Sequence, residues 1–576
     1  MTLGQALALV QKQKEIGPRR KLFLASGFQA LHLATFLEAH YALRFPEEAA
    51  DILTGLYGDL EGTLATSAAS PAEAAAVVVE WSDLDSRLGL RSAGGWGLSA
   101  QQDILENCRG RFTRLLGKLE TLASRMPVAL VPPTLPIPLL GHTAGWQISL
   151  AELELEQQAA RFLADSARIE RVSILHPAKL AQLSPVASRL DPLMELQAGF
   201  PYTIQHASML AGQLVKLLFP PSPMKGLITD LDETLWSGIV GEVGAQAVSW
   251  GLAEHAQVHG MYQQMLRHLS EMGVLLAIAS KNEMKVVEEA LRREDLRIPA
   301  SAFYPVRAGW GPKSQQVAEI LRTWNIDAAS VVFVDDSPME LDEVRTAFPS
   351  MTCLQFSKKP ATALELFEQL RDRFGKPAVH RDDALRQASI RARQAFDLAA
   401  ENSESGEFVR SLRGKVTFDA RKNMTNRRQL ELINKTNQFN LNGVRLSEGE
   451  WMKHLEDECG FAIGVSYEDR FGPLGTVGVM AGRRSGDCAE ISSWVLSCRA
   501  FSRKIEHHML EFLFRQPGLA TVKLCFHSTE RNQPLRQFLQ SIGWHDGGDG
   551  GVLLSREQLS GHLDDLPHQV VAQENE

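Results

Sequence analysis

The stretch Lys225-Gly-Leu-Ile-Thr-Asp-Leu-Asp-Glu-Thr-Leu-Trp236 decides how the chain is read. An apolar run rises to two aspartates separated by one residue, with a threonine two positions further on. Side chains alternate faces along a strand, so residues i and i+2 point the same way. Asp230 and Asp232 are thereby placed to aim into one pocket at the end of a buried strand. A phosphate-handling site uses such a pair: one carboxylate as nucleophile, a second for proton transfer, and a cation to neutralise them. Taken alone, the stretch also fits an acidic turn after a core strand.

The residues that follow bear on that choice. Trp236–Gly244 is a glycine-rich loop, and Val258–Met272 has helical spacing of apolar residues. Val274–Ala279 predicts a buried strand closing on Ser280-Lys281-Asn282, with a helix over 284–293. Trp310-Gly-Pro-Lys313 precedes a helix over 314–324, and Val331–Val334 predicts a strand ending in Asp335-Asp336-Ser337-Pro338. Ser280 offers a hydroxyl and a backbone amide to a phosphate oxygen. Lys313 would neutralise phosphate charge and keep the nucleophile ionised, Asp336 would complete a metal site, and Asp335 would hold Lys313. Singly, each has a plainer reading: a helix cap, a surface charge, a turn. All four stand in order, each at a strand or helix boundary.

The chain has 576 residues, more than one core, and its length points to three or four domains. It is 44% hydrophobic and 22% charged, as a globular protein is. A net charge of -9 argues against a general nucleic-acid binder. The six cysteines have neither zinc spacing nor a close pair, which makes a reducing cytosol the expectation. The first residues lack a signal-peptide pattern, and no apolar run reaches about 18 residues, so neither a membrane nor export is expected.

Before the opening stretch, strands are predicted at Lys21–Ala25, Ala74–Trp81 and Pro127–Val131, alternating with helical patterns. Ser26 just after the first strand, with Tyr57-Gly58-Asp59, resembles the layout of an SGNH-type hydrolase. Trp81-Ser82-Asp83 stands where that family has an asparagine. Thr203-Ile-Gln-His206 stands where it has Asp-x-x-His, so His206 lacks an orienting acid. A degenerate, binding or scaffolding domain is expected. After it, residues 376–400 read as a charged helical connector. Asn434–Asn442 is dense in amides and reads as a binding loop or a polar turn cluster.

The motifs Asp230-Leu-Asp232, Ser280, Lys313 and Asp335-Asp336 resemble those of the haloacid dehalogenase (HAD) superfamily. The wording of TDLDETLWSGIVGEVG, GVLLAIASKNE, WGPKS and VVFVDDSPMELDEV resembles its FkbH-type branch, subfamily IIIC. Members load a glyceryl unit from 1,3-bisphosphoglycerate onto an acyl carrier protein in polyketide-type pathways. The resemblance implies an α/β multidomain protein: an SGNH-like α/β domain (1–222), a HAD Rossmann-like parallel-sheet domain (223–376), a helical linker (377–406), a GNAT-like α+β domain (407–558) and a disordered tail (559–576). It implies Mg²⁺ held by Asp230, Asp336 and the backbone carbonyl of Asp232. Asp230 is then the nucleophile and Asp232 the acid and base, with Ser280, Lys281, Asn282 and Lys313 around the phosphate. The partners it implies are a phosphorylated glycerate and the phosphopantetheine of a carrier. In GNAT proteins the strand-to-helix junction binds coenzyme A. Here that junction is Cys498-Arg499, with Arg503 and Lys504 close by. A helix N-terminus and basic neighbours lower a thiol pKa, so Cys498 is a candidate acyl carrier and Arg499 a candidate binding residue. A buried, inert cysteine is the alternative. A plain phosphatase and a carrier-docking scaffold are the other functions that fit.

Overall fold

The computed structural model describes residues 1–13, 19–67, 70–92, 97–138, 143–376, 409–422, 427–470, 472–497, 500–501, 503–529, 532–544, 551–563 and 566–573. The helical linker expected at 377–406 lies outside them. The chain divides into two compact units, Met1–Pro221 with Leu446–Lys453, and Ser222–Arg445 with His454–Glu576. Among the described residues no helix is long and apolar enough to cross a membrane.

The first unit holds a five-stranded parallel sheet of β1 (Arg19–Ser26), β2 (Ala49–Thr54), β3 (Ala74–Val78), β4 (Val128–Val131) and β5 (Val172–Ile174), in the order β2-β1-β3-β4-β5. β3 and β4 are unbroken apolar runs because helices cover both sheet faces. The strand expected to reach Trp81 stops at Val78. There the Asp83 carboxylate accepts a hydrogen bond from Glu80 N (2.8 Å) and starts the helical turn Trp81–Leu84. β2 escapes a sequence reading because Asp51 interrupts its apolar run. On this edge strand Asp51 pairs with Arg19 at 2.6 Å.

The second unit contains two sheets. One is parallel: β6 (Gly226–Thr229), β7 (Leu275–Ser280), β8 (Phe303–Ala308), β9 (Val331–Asp335) and β10 (Thr352–Gln355), ordered β10-β9-β6-β7-β8. β6, β7 and β9 are fully buried. β7 lies on one side of β6 and β9 on the other, so the chain reverses its winding there. In open α/β sheets ligands bind at that switch point, beyond the carboxyl ends of the strands.

The other sheet is mixed: β11 (Lys415–Asp419), β12 (Phe439–Asn440), β13 (Gly460–Asp469), β14 (Gly472–Ser485), β15 (Cys488–Leu496), β16 (Thr521–Leu524), β17 (Val552–Ser555) and β18 (Gln569–Gln573). The order is β17-β16-β15-β14-β13-β11-β18, with β12 on β15. The disordered tail expected over 559–576 is corrected here: β18 pairs in parallel with β11, and the helix Arg556–Leu563 precedes it. The four acids of the tail flank the strand, whereas Gln569-Val-Val-Ala-Gln573 itself is uncharged and able to pair. Five residues are too few to show a period.

Candidate active site

Asp230 leaves the end of β6 with its amide donating to Val334 O (3.0 Å), which fixes it beside β9. Lys313, first residue of the helix Lys313–Trp324, places Nζ 2.8 Å from Asp230 Oδ1 and 2.5 Å from Asp335 Oδ2. Lys313 is 3% exposed and Asp335 is fully buried. Carboxylate oxygens of Asp230, Asp335 and Asp336 lie within 4.8 Å of one another. Three carboxylates face one ammonium, leaving excess negative charge in a desolvated place. Burial pushes the Asp230 carboxyl up to about 7, with Lys313 opposing and Asp335 adding to the rise. Burial likewise raises Asp336, and Asp335 raises it further. For Lys313, burial favours the neutral amine, but the charges of Asp230 and Asp335 outweigh it and hold the ammonium above its ordinary value.

The donor set fits a hard divalent cation. Asp335 is occupied by Lys313 on one oxygen and by Ser337 N (2.9 Å) on the other. Asp230 and Asp336 therefore remain to supply carboxylate oxygens. The Asp232 carboxylate is not part of that cluster. Its Oδ1 accepts from Trp236 Nε1 (2.9 Å) and Val240 N (3.0 Å), and its Oδ2 from Asn282 Nδ2 (2.8 Å). Any share of Asp232 in holding a cation therefore falls to its backbone carbonyl, as the resemblance implies.

Ser280 ends β7, fully buried, and its Oγ accepts from Asn282 Nδ2 (3.0 Å). Asn282, expected at the phosphate, bonds to Asp232 and Ser280 instead. Lys281, expected there too, pairs with Glu340 at 2.7 Å. Gln316 was not anticipated. Its Nε2 donates to Ser280 O (3.1 Å) and Gly309 O (3.0 Å), tying the loops after β7 and β8 together. The available signal was its place three residues after Lys313, on the same helical face. Trp236 was visible as part of the motif, but its hydrogen bond back to Asp232 was not.

Cys498 and Arg499 lie outside the described residues. Two features nearby alter the expectation built on them. Arg503 is 1% exposed and bonds through Nε to Asp469 Oδ2 (3.1 Å), so its charge is compensated rather than presented to a thiol. The gap where β15 and β16 diverge is filled. β16 pairs with β15 only as far as Ile491. Beyond it β12 pairs with Val495 and Leu496, Leu441 N donates to Trp494 O (3.0 Å), and His527 N donates to Leu441 O (3.1 Å). Asn442 Nδ2 spans the gap, donating to Ser492 O (2.9 Å) and Cys525 O (3.2 Å). Asn442 thus closes the gap where the two strands diverge, while Asn440 bonds locally, its Oδ1 accepting from Asn442 N and Gly443 N.

In the first unit, Ser26 Oγ donates to Phe28 O (3.0 Å). A cavity of about 230 Å³ beside it is lined by Phe28, Gln29, Leu31 and Tyr57 among others, with no histidine. His206 faces Ser184 Oγ (2.9 Å) and Thr134 Oγ1 (3.3 Å), and burial pushes its imidazole down to about 3. This neutral, doubly bonded ring is no base for Ser26. Glu80, 1% exposed, accepts from the Tyr202 hydroxyl (2.6 Å) and from Thr134 Oγ1 (2.5 Å). Burial raises Glu80, and it pushes neighbouring Asp83 up to about 7. A carboxyl raised on folding stabilises fully below its unfolded value and loses that stabilisation as pH rises through the folded value. This unit should therefore be less stable at pH 8 than at pH 5. In Asp83→Asn the difference should shrink by up to about 2–3 kcal/mol, read from hydrogen exchange of β3 amides at the two pH values.

No family model and no curated protein matches the chain. One solved structure similar to it is the N-terminal part of the protein BF1531 from Bacteroides fragilis, containing a phosphatase domain and complexed with Mg. It is 18% identical, covers 66% of this chain and 100% of that chain, and has a TM-score of 0.49. Another is a GCN5-related glucosamine N-acetyltransferase region of a fungal multidomain GH3 β-N-acetylglucosaminidase, 11% identical, covering 94% of this chain and 67% of that one, with a TM-score of 0.12. At these scores neither likeness carries an argument. The strand order and the site define the class: a multidomain α/β protein with a carboxylate–lysine pocket at the carboxyl edge of a parallel sheet.

Proposed function

We propose that the second unit is a Mg²⁺-dependent phosphatase whose phosphoryl transfer serves glyceryl loading from 1,3-bisphosphoglycerate onto the phosphopantetheine thiol of an acyl carrier protein in polyketide-type biosynthesis. The observation that carries the phosphoryl-transfer part is Lys313, buried between Asp230 and Asp335 at the carboxyl edge of the sheet. Asp230 attacks phosphorus as the bond to the leaving oxygen breaks, and Asp232 Oδ2 gives that oxygen its proton. Water then attacks the aspartyl phosphate and passes a proton to Asp232 Oδ2, freeing Asp230 and phosphate. Lys313 and Ser280 stabilise the charge spread over the phosphoryl oxygens. A bound Mg²⁺ would supply further neutralisation of that charge.

The carrier part rests on the resemblance and on the site's surroundings. Seven large hydrophobic residues are exposed between 224 and 376, and six of them lie on loops or first turns at the carboxyl edge: Ile239, Val243, Leu252, Met284, Trp310 and Met339. An apolar rim drawn from several sides suits a substrate presented by a large partner rather than a free metabolite. The test is intact-mass analysis of purified holo carrier proteins from the same genome after incubation with this protein, Mg²⁺ and 1,3-bisphosphoglycerate. A glyceryl adduct on one carrier is expected, and its absence from all of them refutes the loading step.

A second reading, a small-molecule phosphatase with flanking regions that do no chemistry, is favoured by the filled opening between β15 and β16. Phosphate release that is unchanged by added carrier would select it.

A further inference from the structure

Lone pairs and protons around Asp232 and Ser280 can be counted. Asp232 Oδ1 has both lone pairs taken, by the indole of Trp236 and the amide of Val240. Oδ2 has one taken, by Asn282 Nδ2. A single lone pair, on Oδ2, is left for exchange with substrate. The same Asn282 amide donates to Ser280 Oγ. An amide NH₂ cannot accept, so it imposes a direction on the hydroxyl: Ser280 receives from Asn282 and its own O–H must be donated elsewhere. Trp236 is fully buried, and Asn282 is 3% exposed, so neither bond competes with bulk water.

We propose that Asn282 and Trp236 are positioning residues of this site. Asn282 fixes the proton-exchanging oxygen of Asp232 and turns the Ser280 hydroxyl outward as a donor for a phosphoryl oxygen. Trp236 closes Oδ1 to exchange. The inference rests on the phosphoryl-transfer reading of the site and deepens it. One amide group couples the phosphate seat to the proton-transfer group, and a phosphoryl oxygen at Ser280 is the ligand this arrangement selects.

The two residues should leave different signatures, because only Asn282 touches both groups. Two substrates separate them: p-nitrophenyl phosphate, whose leaving group needs little protonation, and ethyl phosphate, whose leaving alkoxide needs it fully. In Asn282→Ala, kcat/KM should fall about 5-fold on p-nitrophenyl phosphate and on the order of 100-fold on ethyl phosphate, with weaker inhibition by inorganic phosphate. Trp236→Phe removes the N–H and should depress ethyl phosphate alone, about 10-fold, without changing phosphate inhibition. Asn282→Ser, which keeps a donor, should restore part of the ethyl phosphate rate. Equal losses on both substrates, or thermal midpoints that fall in step with the rates, would show a structural role and overturn the proposal. Wild-type protein that hydrolyses neither substrate with Mg²⁺ would instead remove the reading on which it rests.

Discussion

Asp230→Asn should lose phosphate-releasing activity by at least about 10³-fold, measured as Mg²⁺-dependent release from p-nitrophenyl phosphate. The amide is nearly isosteric but cannot form an acyl phosphate. The protein should nevertheless remain folded. Lys313 keeps Asp335 at 2.5 Å, so the substitution strands no buried ammonium. It also removes a carboxyl that burial pushes up to about 7. Such a group favours folding below its unfolded value and loses that contribution as pH rises through about 7. At pH 8 the variant's thermal midpoint should therefore equal or exceed that of the wild type, and any advantage should shrink as the pH falls to 5. A variant that is inactive and unstable at both pH values would mean that Asp230 holds the fold rather than the chemistry.

Lys313→Met should have the largest effect on stability. It leaves Asp230 and Asp335 buried without their shared cation, a change that costs about 3–5 kcal/mol when one partner of a buried pair is removed. The sign of its pH dependence follows from the same carboxyl. Without Lys313 the main opposition to the rise of Asp230 is gone, so at pH 8 folding must bury an anion or take up a proton, while at pH 5.5 the carboxyl is protonated and the cost shrinks. Denaturant unfolding of the variant should show a midpoint that recovers on acidification, and added Mg²⁺ should raise it at pH 8 by replacing the lost positive charge. Equal destabilisation at both pH values would mean that packing of the lysine stem, not its charge, is what matters. Activity should fall with stability at pH 8, because the same ammonium faces the phosphoryl group.

The parallel sheet around the site was legible because β6, β7 and β9 are unbroken apolar runs, each ending in a polar residue type that chemistry requires. Asp230, Ser280, Lys313 and Asp336 were named through the resemblance of their motifs to the HAD superfamily. Edge strands were not legible. β2 carries Asp51 inside its run, and β18 is five residues lying among acids. Their identity is set by the neighbour they pair with, which no local pattern records. Arg503 reads in sequence as a positive charge by its type alone, whereas the Asp469 carboxylate that compensates it stands 34 residues earlier in the chain and comes beside it only on folding.

What the chain determines by itself, then, is which residue types stand at the carboxyl ends of its strands. Alternation and burial act over a few neighbours, and those a sequence displays. What only tertiary structure decides is which of those groups still has a lone pair or a proton to give. Asn282 looked like a phosphate ligand until its amide was seen to bond Asp232 and Ser280. Asn442 fitted a binding loop or a polar turn cluster, and only the fold shows it spanning two diverging strands. Hydrogen-bond capacity is spent between residues far apart in sequence, and the remainder left for substrate can be counted only after folding has brought them together.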